Sequence, residues 1–255
     1  MDENPNHRGN SRRWIVQEVE NSLRRLCTDW IDLYQIHRPD PNTDIDETLG
    51  ALTDLVRQGT VRYIGSSSFS GSQIAEAQWV ARDRRLKRFR TEQPPYSLLV
   101  RGIELDVLPT ARRHGMGILT YSPLAGGWLS GSWTADSSPT SAARQRLAAR
   151  FDMSLPENQL KLEAVEALAN VAGDAGLTLI ELAIAFVVNH PAVTSAIIGP
   201  RTMEQLDGQL PAAAVTLDGA TLDRIDEIVK PGVNLNPADT SYGEQVLQPA
   251  LRRRQ

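Results

Sequence analysis

The stretch Ile31-Asp32-Leu33-Tyr34-Gln35-Ile36, followed at once by His37-Arg38-Pro39, decides the fold. It is short, rich in β-formers, and stops where Pro39 disfavours further regular structure, so it reads as a strand. Upstream, Ser11 is placed to cap a helix in which Ile15, Val19, Leu23 and Leu26 form one apolar face. The first ten residues are polar and read as irregular. Downstream, a helix is expected from near Asp46, with Leu49, Leu52, Leu55 and Val56 apolar and Gly59 as its stop. A second strand, Val61-Arg62-Tyr63-Ile64, then ends in Gly65-Ser66-Ser67-Ser68.

The alternation continues with a helix near 72–82, a strand near 89–93, a helix near 106–114 stopped by Gly115, and a strand over 117–121. Strand starts recur about every 30 residues, the length of a βα unit, which predicts a parallel sheet covered by helices. After Tyr121 the rhythm breaks. Residues 122–156 are rich in Gly, Ser and Pro and read as a long loop. Helices near 157–175 and 179–190, divided by Gly176, lead to a last strand over 194–198. Helices near 203–210 and 222–229 and a tail from Asn234 complete the chain. A (β/α)8 barrel commonly takes about 250 residues, so the length permits one. Five strands do not close it. The residues leave two choices: an open doubly wound sheet, or one domain over 1–255 that is part of a barrel whose first strands lie elsewhere.

The chain has 255 residues, 41% hydrophobic and 23% charged, with 27 Lys and Arg against 31 Asp and Glu. The net charge of -4 supplies no electrostatic footprint for nucleic acid. The single cysteine, Cys27, makes no internal disulfide and no Cys-rich metal site. The most apolar stretch, around 180–188, contains Glu181 and is too short for a bilayer, and the polar N-terminus has no signal-like apolar run. A cytoplasmic protein without a membrane partner is expected.

Among four histidines, His7 lies in the polar N-terminus, and His114 and His190 stand at helix ends, where an imidazolium suits the dipole. His37 differs, because it follows a buried parallel strand, the edge at which α/β proteins bind ligands. Its structural alternative is an ordinary hydrogen bond. Asp40, Asp44, Asp46 and Glu47 are explained by a solvated loop and a helix cap, and no CxxC or HExxH occurs. Gly65-Ser66-Ser67-Ser68-Phe69 lacks the GxSxG elbow of a hydrolase, and there is no GxGxxG or Walker loop. Two segments suit phosphate. Ser122-Pro123-Leu124-Ala125-Gly126-Gly127 follows a strand and opens its backbone to an anion. Gly199-Pro200-Arg201-Thr202 follows the last strand and adds a guanidinium. Each alone is as often a turn as a site; together they match the phosphate geometry after the last strands of a barrel.

These segments, in this order, resemble the aldo-keto reductases. Asp29-Trp30-Ile31-Asp32-Leu33-Tyr34-Gln35-Ile36-His37 is similar to that family's fourth-strand motif, and Val61 to Phe69 to its fifth. Glu92-Gln93-Pro94-Pro95-Tyr96-Ser97 resembles the sixth, Tyr121 to Gly127 the seventh, and Ile197 through Gln205 the eighth. The resemblance implies a (β/α)8 TIM barrel, N-terminally truncated here, that binds NADP(H) and transfers hydride to a small aldehyde or ketone. It implies that His37 orients the carbonyl, that Ser67, Ser68 and Gln93 hold the nicotinamide carboxamide, and that Tyr121 lies against the ring. It further implies that Ser122, Pro123, Leu124 and Gly126 follow the pyrophosphate, and that Gly199, Arg201 and Gln205 surround the adenosine 2′-phosphate.

Three departures stand out. Ser68 replaces a common Asn, and Gly208-Gln209 a common Glu-Asn. The family's Asp, Tyr and Lys, which precede the fourth strand, have no counterpart: the lysines are Lys87, Lys161 and Lys230, and Tyr34 falls on the strand face opposite His37. Two readings follow from this: a carbonyl reductase whose start lies further upstream, or a truncated, non-catalytic cofactor-binding or interaction module whose edges a partner or self-association covers. An unrelated open α/β hydrolase is the third.

Overall fold

In the computed structural model the described residues are 7–131, 133 and 147–240. The strands are β1 (Ile31–Ile36), β2 (Val61–Ser67), β3 (Thr91–Gln93), β4 (Gly117–Tyr121) and β5 (Ser195–Ile197), all parallel and paired in the order β1-β2-β3-β4-β5. Helices α1 (Arg12–Leu26), α2 (Ile45–Arg57), α3 (Gly71–Asp83) and α4 (Val107–Arg113) alternate with the first four. Helices α5 (Pro156–Asp174) and α6 (Leu179–Asn189) precede β5, and α7 (Met203–Asp207) and α8 (Gly219–Ile228) follow it. The strand rhythm predicts a parallel sheet covered by helices, and of the two architectures it leaves open this is the α/β architecture of part of a (β/α)8 barrel.

Boundaries differ from the expected ones where hydrogen bonding outruns local pattern. β2 extends through Gly65, Ser66 and Ser67, because these pair with β1 and β3. The strand expected near 89–93 is shorter, and so is the helix expected over 203–210, which stops at Asp207 before a 3-10 turn over Leu210–Ala214. Part of the 122–156 loop and the tail beyond 240 lie outside the described residues. Within the described part of that loop, 3-10 turns span Ala125–Ser130 and Ala148–Arg150. Among the described residues, no single helix is long and apolar enough to cross a membrane.

The chain forms two compact units. The first holds residues 1–94 and 107–118, the second 95–106 and 119–255. In the first, α1 to α4 cover one face of the sheet, burying Ile36, Ile64, Ile74, Phe89 and Ile118 with Leu49 and Leu52. On the other face Tyr63 is 59% exposed, and Leu33, Gln35 and Thr91 are half-buried. A cavity of about 470 Å³ on Asp32, Leu33, Tyr63, Arg90 and Thr91 contains none of the candidate residues.

The second unit is held by two buried cations. Arg101 bonds Glu104 (2.8 Å) and Asp226 (2.7 Å), while Tyr96 donates to Glu104 (2.6 Å). Lys161, fully buried, donates to Arg150 O and Asp239 Oδ2, both at 2.9 Å, and its ammonium stands 4.4 Å from the Trp128 ring centre. Asn158 and Asn236 close the same knot on Ala149 O.

Candidate active site

Parallel register sets which side chains share a face. Gln35, Gly65 and Thr91 are aligned across β1, β2 and β3, and Ser67 is aligned with Gln93. Gly65 makes this possible: a Cβ there would lie 2.1 Å from Thr91 Oγ1. Through the gap, Thr91 Oγ1 donates to Gln35 Oε1 (2.9 Å) and Gln35 Nε2 donates to Gln93 Oε1 (2.7 Å). That chain orients the Gln93 amide and leaves its Nε2 hydrogens without a partner among the described residues. Ser67 Oγ donates to Gln93 O at 2.8 Å, so its lone pairs remain as acceptors. A donor amide beside an acceptor hydroxyl is the set a carboxamide requires.

His37 follows β1 with the parity of Leu33 and Gln35, and its side chain is exposed. Desolvation by neighbouring atoms, then the charge of Arg38, lower its pKa from 6.5. The imidazole is therefore neutral at pH 7 and carries one N–H donor. Tyr34 points the other way, toward Glu18, Ser22 and Arg25, and burial pushes its phenol up to about 12. The opposite-face expectation holds. Ser68 is buried at positive φ (60°), and its Oγ accepts from Arg38 Nη1.

Sequence reasoning passed over Glu92, which is fully buried on the helix-covered face. It is aligned with Ser66, whose Oγ donates to its Oε2 at 2.5 Å, and the Phe69 amide donates to its Oε1 at 3.1 Å. Burial pushes this carboxyl up to about 7, against the pull of Ser66, the Phe69 and Ser68 amides and Arg38. A glutamate beside Gln93 in a strand reads as solvated; only the register reveals its burial.

The second unit carries the remaining candidates. Tyr121 ends β4 half-buried, and the chain then takes positive φ at Ser122 (59°), Ala125 (50°), Gly126 (68°) and Gly127 (105°). Pro123 is buried and Leu124 half-buried beneath this turn. Left-handed residues so close together form the concave backbone that suits phosphate. Gly126 is needed twice over, since a Cβ would also stand 3.0 Å from Phe151 Cζ. After β5, Gly199 is exposed with open space where a Cβ would be. Gln205 accepts from the Arg201 amide (2.8 Å), and the exposed Arg201 guanidinium has no partner among the described residues. Gln209 Oε1 is buried with no hydrogen-bond partner among them. An unpaired guanidinium and an orphaned acceptor fit a 2′-phosphorylated adenosine. Taken unit by unit, the residues of the first suit a carboxamide and those of the second a phosphorylated nucleoside.

Comparison with known proteins places the chain among relatives of one family. YrpG, an uncharacterized oxidoreductase of Bacillus subtilis, is 41% identical over 221 residues, covering 87% of this chain and 65% of its own. The aldo-keto reductase YhdN of Bacillus subtilis is 33% identical, with 95% of this chain and 70% of its own covered. A probable voltage-gated potassium channel subunit beta of Arabidopsis thaliana is 35% identical, with 89% and 70% covered. The chain thus spans about two thirds of the length of these relatives. A model of the aldo/keto reductase family matches residues 1–230, a span that includes His37, Gln93, the Ser122 turn and Arg201, and the chain belongs to that family.

Proposed function

We propose that the protein is an NADP(H)-dependent oxidoreductase acting on the carbonyl group of an aldehyde or ketone. The observation that carries the reading is the backbone cradle at Ser122 to Gly127, four left-handed residues directly after β4, in a chain of this family. When bound, NADPH supplies the hydride. His37, neutral near pH 7, donates its ring N–H to the substrate oxygen and orients the carbonyl. Gln93 Nε2 and Ser67 Oγ hold the carboxamide, with Ser68 beside them, and Tyr121 packs against the nicotinamide. Ser122, Pro123, Leu124 and Gly126 line the pyrophosphate. Gly199, Arg201 and Gln205 receive the adenosine end, with Arg201 on the 2′-phosphate.

Tyr34 faces α1, and Lys161 is bound to Asp239, so neither serves His37. We expect the 255-residue chain to bind NADPH but to reduce aldehydes about 10²–10⁴ more slowly than a member with a positioned Tyr donor. Turnover at the rate of such a member would contradict this.

A second reading, a non-catalytic cofactor-binding or interaction module, is favoured by the sheet face on which Tyr63 is 59% exposed. The channel-subunit name borne by the Arabidopsis relative is compatible with it. The test of the cofactor reading is Arg201→Ala. We expect NADPH affinity to fall by about tenfold or more, one charge-assisted contact, while NADH affinity hardly changes. Equal weakening of both would remove the 2′-phosphate role.

A further inference from the structure

We propose that Glu92 is a positioning residue for the nicotinamide end of the cofactor: its carboxyl holds the Ser66-to-Phe69 turn, so that Ser67 and Ser68 are presented in one fixed geometry. The inference rests on the NADP(H) reading above and deepens it.

The geometry is specific. Glu92 is fully buried, and both its oxygens are spent on one turn of the neighbouring strand end: Oε2 on Ser66 Oγ at 2.5 Å, Oε1 on the Phe69 amide at 3.1 Å. The carboxyl therefore brackets Ser67 and Ser68 from before and after. The Ser66 bond has the length of a charge-assisted O–H···O⁻ contact. Between the two anchors Ser68 takes φ 60°, a conformation that L-residues keep only where neighbours enforce it. From the other side Arg38 donates to Ser68 Oγ, and it is also the charged group whose field acts on Glu92. An apolar side chain would fill this buried space without the desolvation that raises the Glu92 pKa. What the acid adds is the shape of the turn. One strand, β3, thus does two things: Gln93 meets the cofactor on one face, and Glu92 braces the adjoining turn from the other.

The test uses the full chain, two ligands and amide exchange. NADPH and adenosine 2′,5′-bisphosphate, which lacks the nicotinamide, are titrated into the wild type, Glu92→Ala and Glu92→Gln. Exchange at the Phe69 amide is followed without ligand. For Glu92→Ala we expect NADPH to bind about tenfold more weakly, the bisphosphate to bind as before, and Phe69 to exchange about tenfold faster. Unchanged NADPH affinity, unchanged Phe69 exchange, or equal weakening of both ligands would overturn the proposal, the last because it reports a general loosening. Should Glu92→Ala not fold, Glu92→Gln decides: about threefold weaker NADPH with faster Phe69 exchange supports the role, and wild-type behaviour in either overturns it. If the wild type binds neither ligand, the NADP(H) reading falls, and with it the cofactor role of Glu92. Phe69 exchange then still reports whether Glu92 shapes the turn.

Discussion

Near pH 7 the buried Glu92 is divided between its two protonation states, since its pKa in the fold is about 7 against 4.5 for a free glutamate. The folded chain holds that proton more tightly than the unfolded one. The stability linked to it is therefore complete below about pH 4.5 and is lost as pH rises toward about pH 7. Full ionisation costs on the order of 3 kcal/mol by linkage. Glu92→Gln removes the titration, so urea unfolding at about pH 5 and about pH 8 should show the wild type losing stability relative to this variant as pH rises. A constant difference would mean that Glu92 titrates like a solvated acid. His37 has the opposite sense: its lowered pKa means that acidification below about pH 6.5 charges an imidazole the fold prefers neutral.

At the scale of elements, two small features carry large consequences. Gly65 lets Thr91, Gln35 and Gln93 bond across β2, and a Cβ would stand 2.1 Å from Thr91 Oγ1. Gly65→Ala should cost about 1–3 kcal/mol through this overpacking, measured by denaturant unfolding. A neutral result would mean that the three strands separate without strain. In the second unit, Lys161→Met should cost about 3–5 kcal/mol, because Asp239 is left as a buried carboxyl without its cation. Restoring stability with an apolar residue at 239 as well would identify the unpaired charge as the cause. These elements also mark what local sequence reveals. Strands β1 and β4 are legible to the residue, because Ile31 to Ile36 and Gly117 to Tyr121 lie between clear stops. The extension of β2 is not, since Gly65, Ser66 and Ser67 look like a turn and are drawn into the sheet by partners far along the chain. The same long-range register hides the burial of Glu92, and the Lys161–Asp239 pair joins residues 78 positions apart.

For the molecule as a whole, the five parallel strands are legible in the sequence, because each rests on local pattern. Conformation after β4 was readable only as composition: Gly126 and Gly127 announce left-handed backbone, whereas Ser122 and Ala125 do not. The candidate residues divide between the units, with His37, Ser67, Ser68 and Gln93 in the first and Tyr121 through Gln205 in the second. The proposed cofactor contacts are drawn from both sets, so cofactor binding is the property that tests the proposal as a whole. The most direct measurement is calorimetric titration of the 255-residue chain with NADPH and then NADH. One NADPH per chain, bound at least about tenfold tighter than NADH, is the expected result. No heat of binding, or equal affinity for the two, would contradict an NADP(H) site.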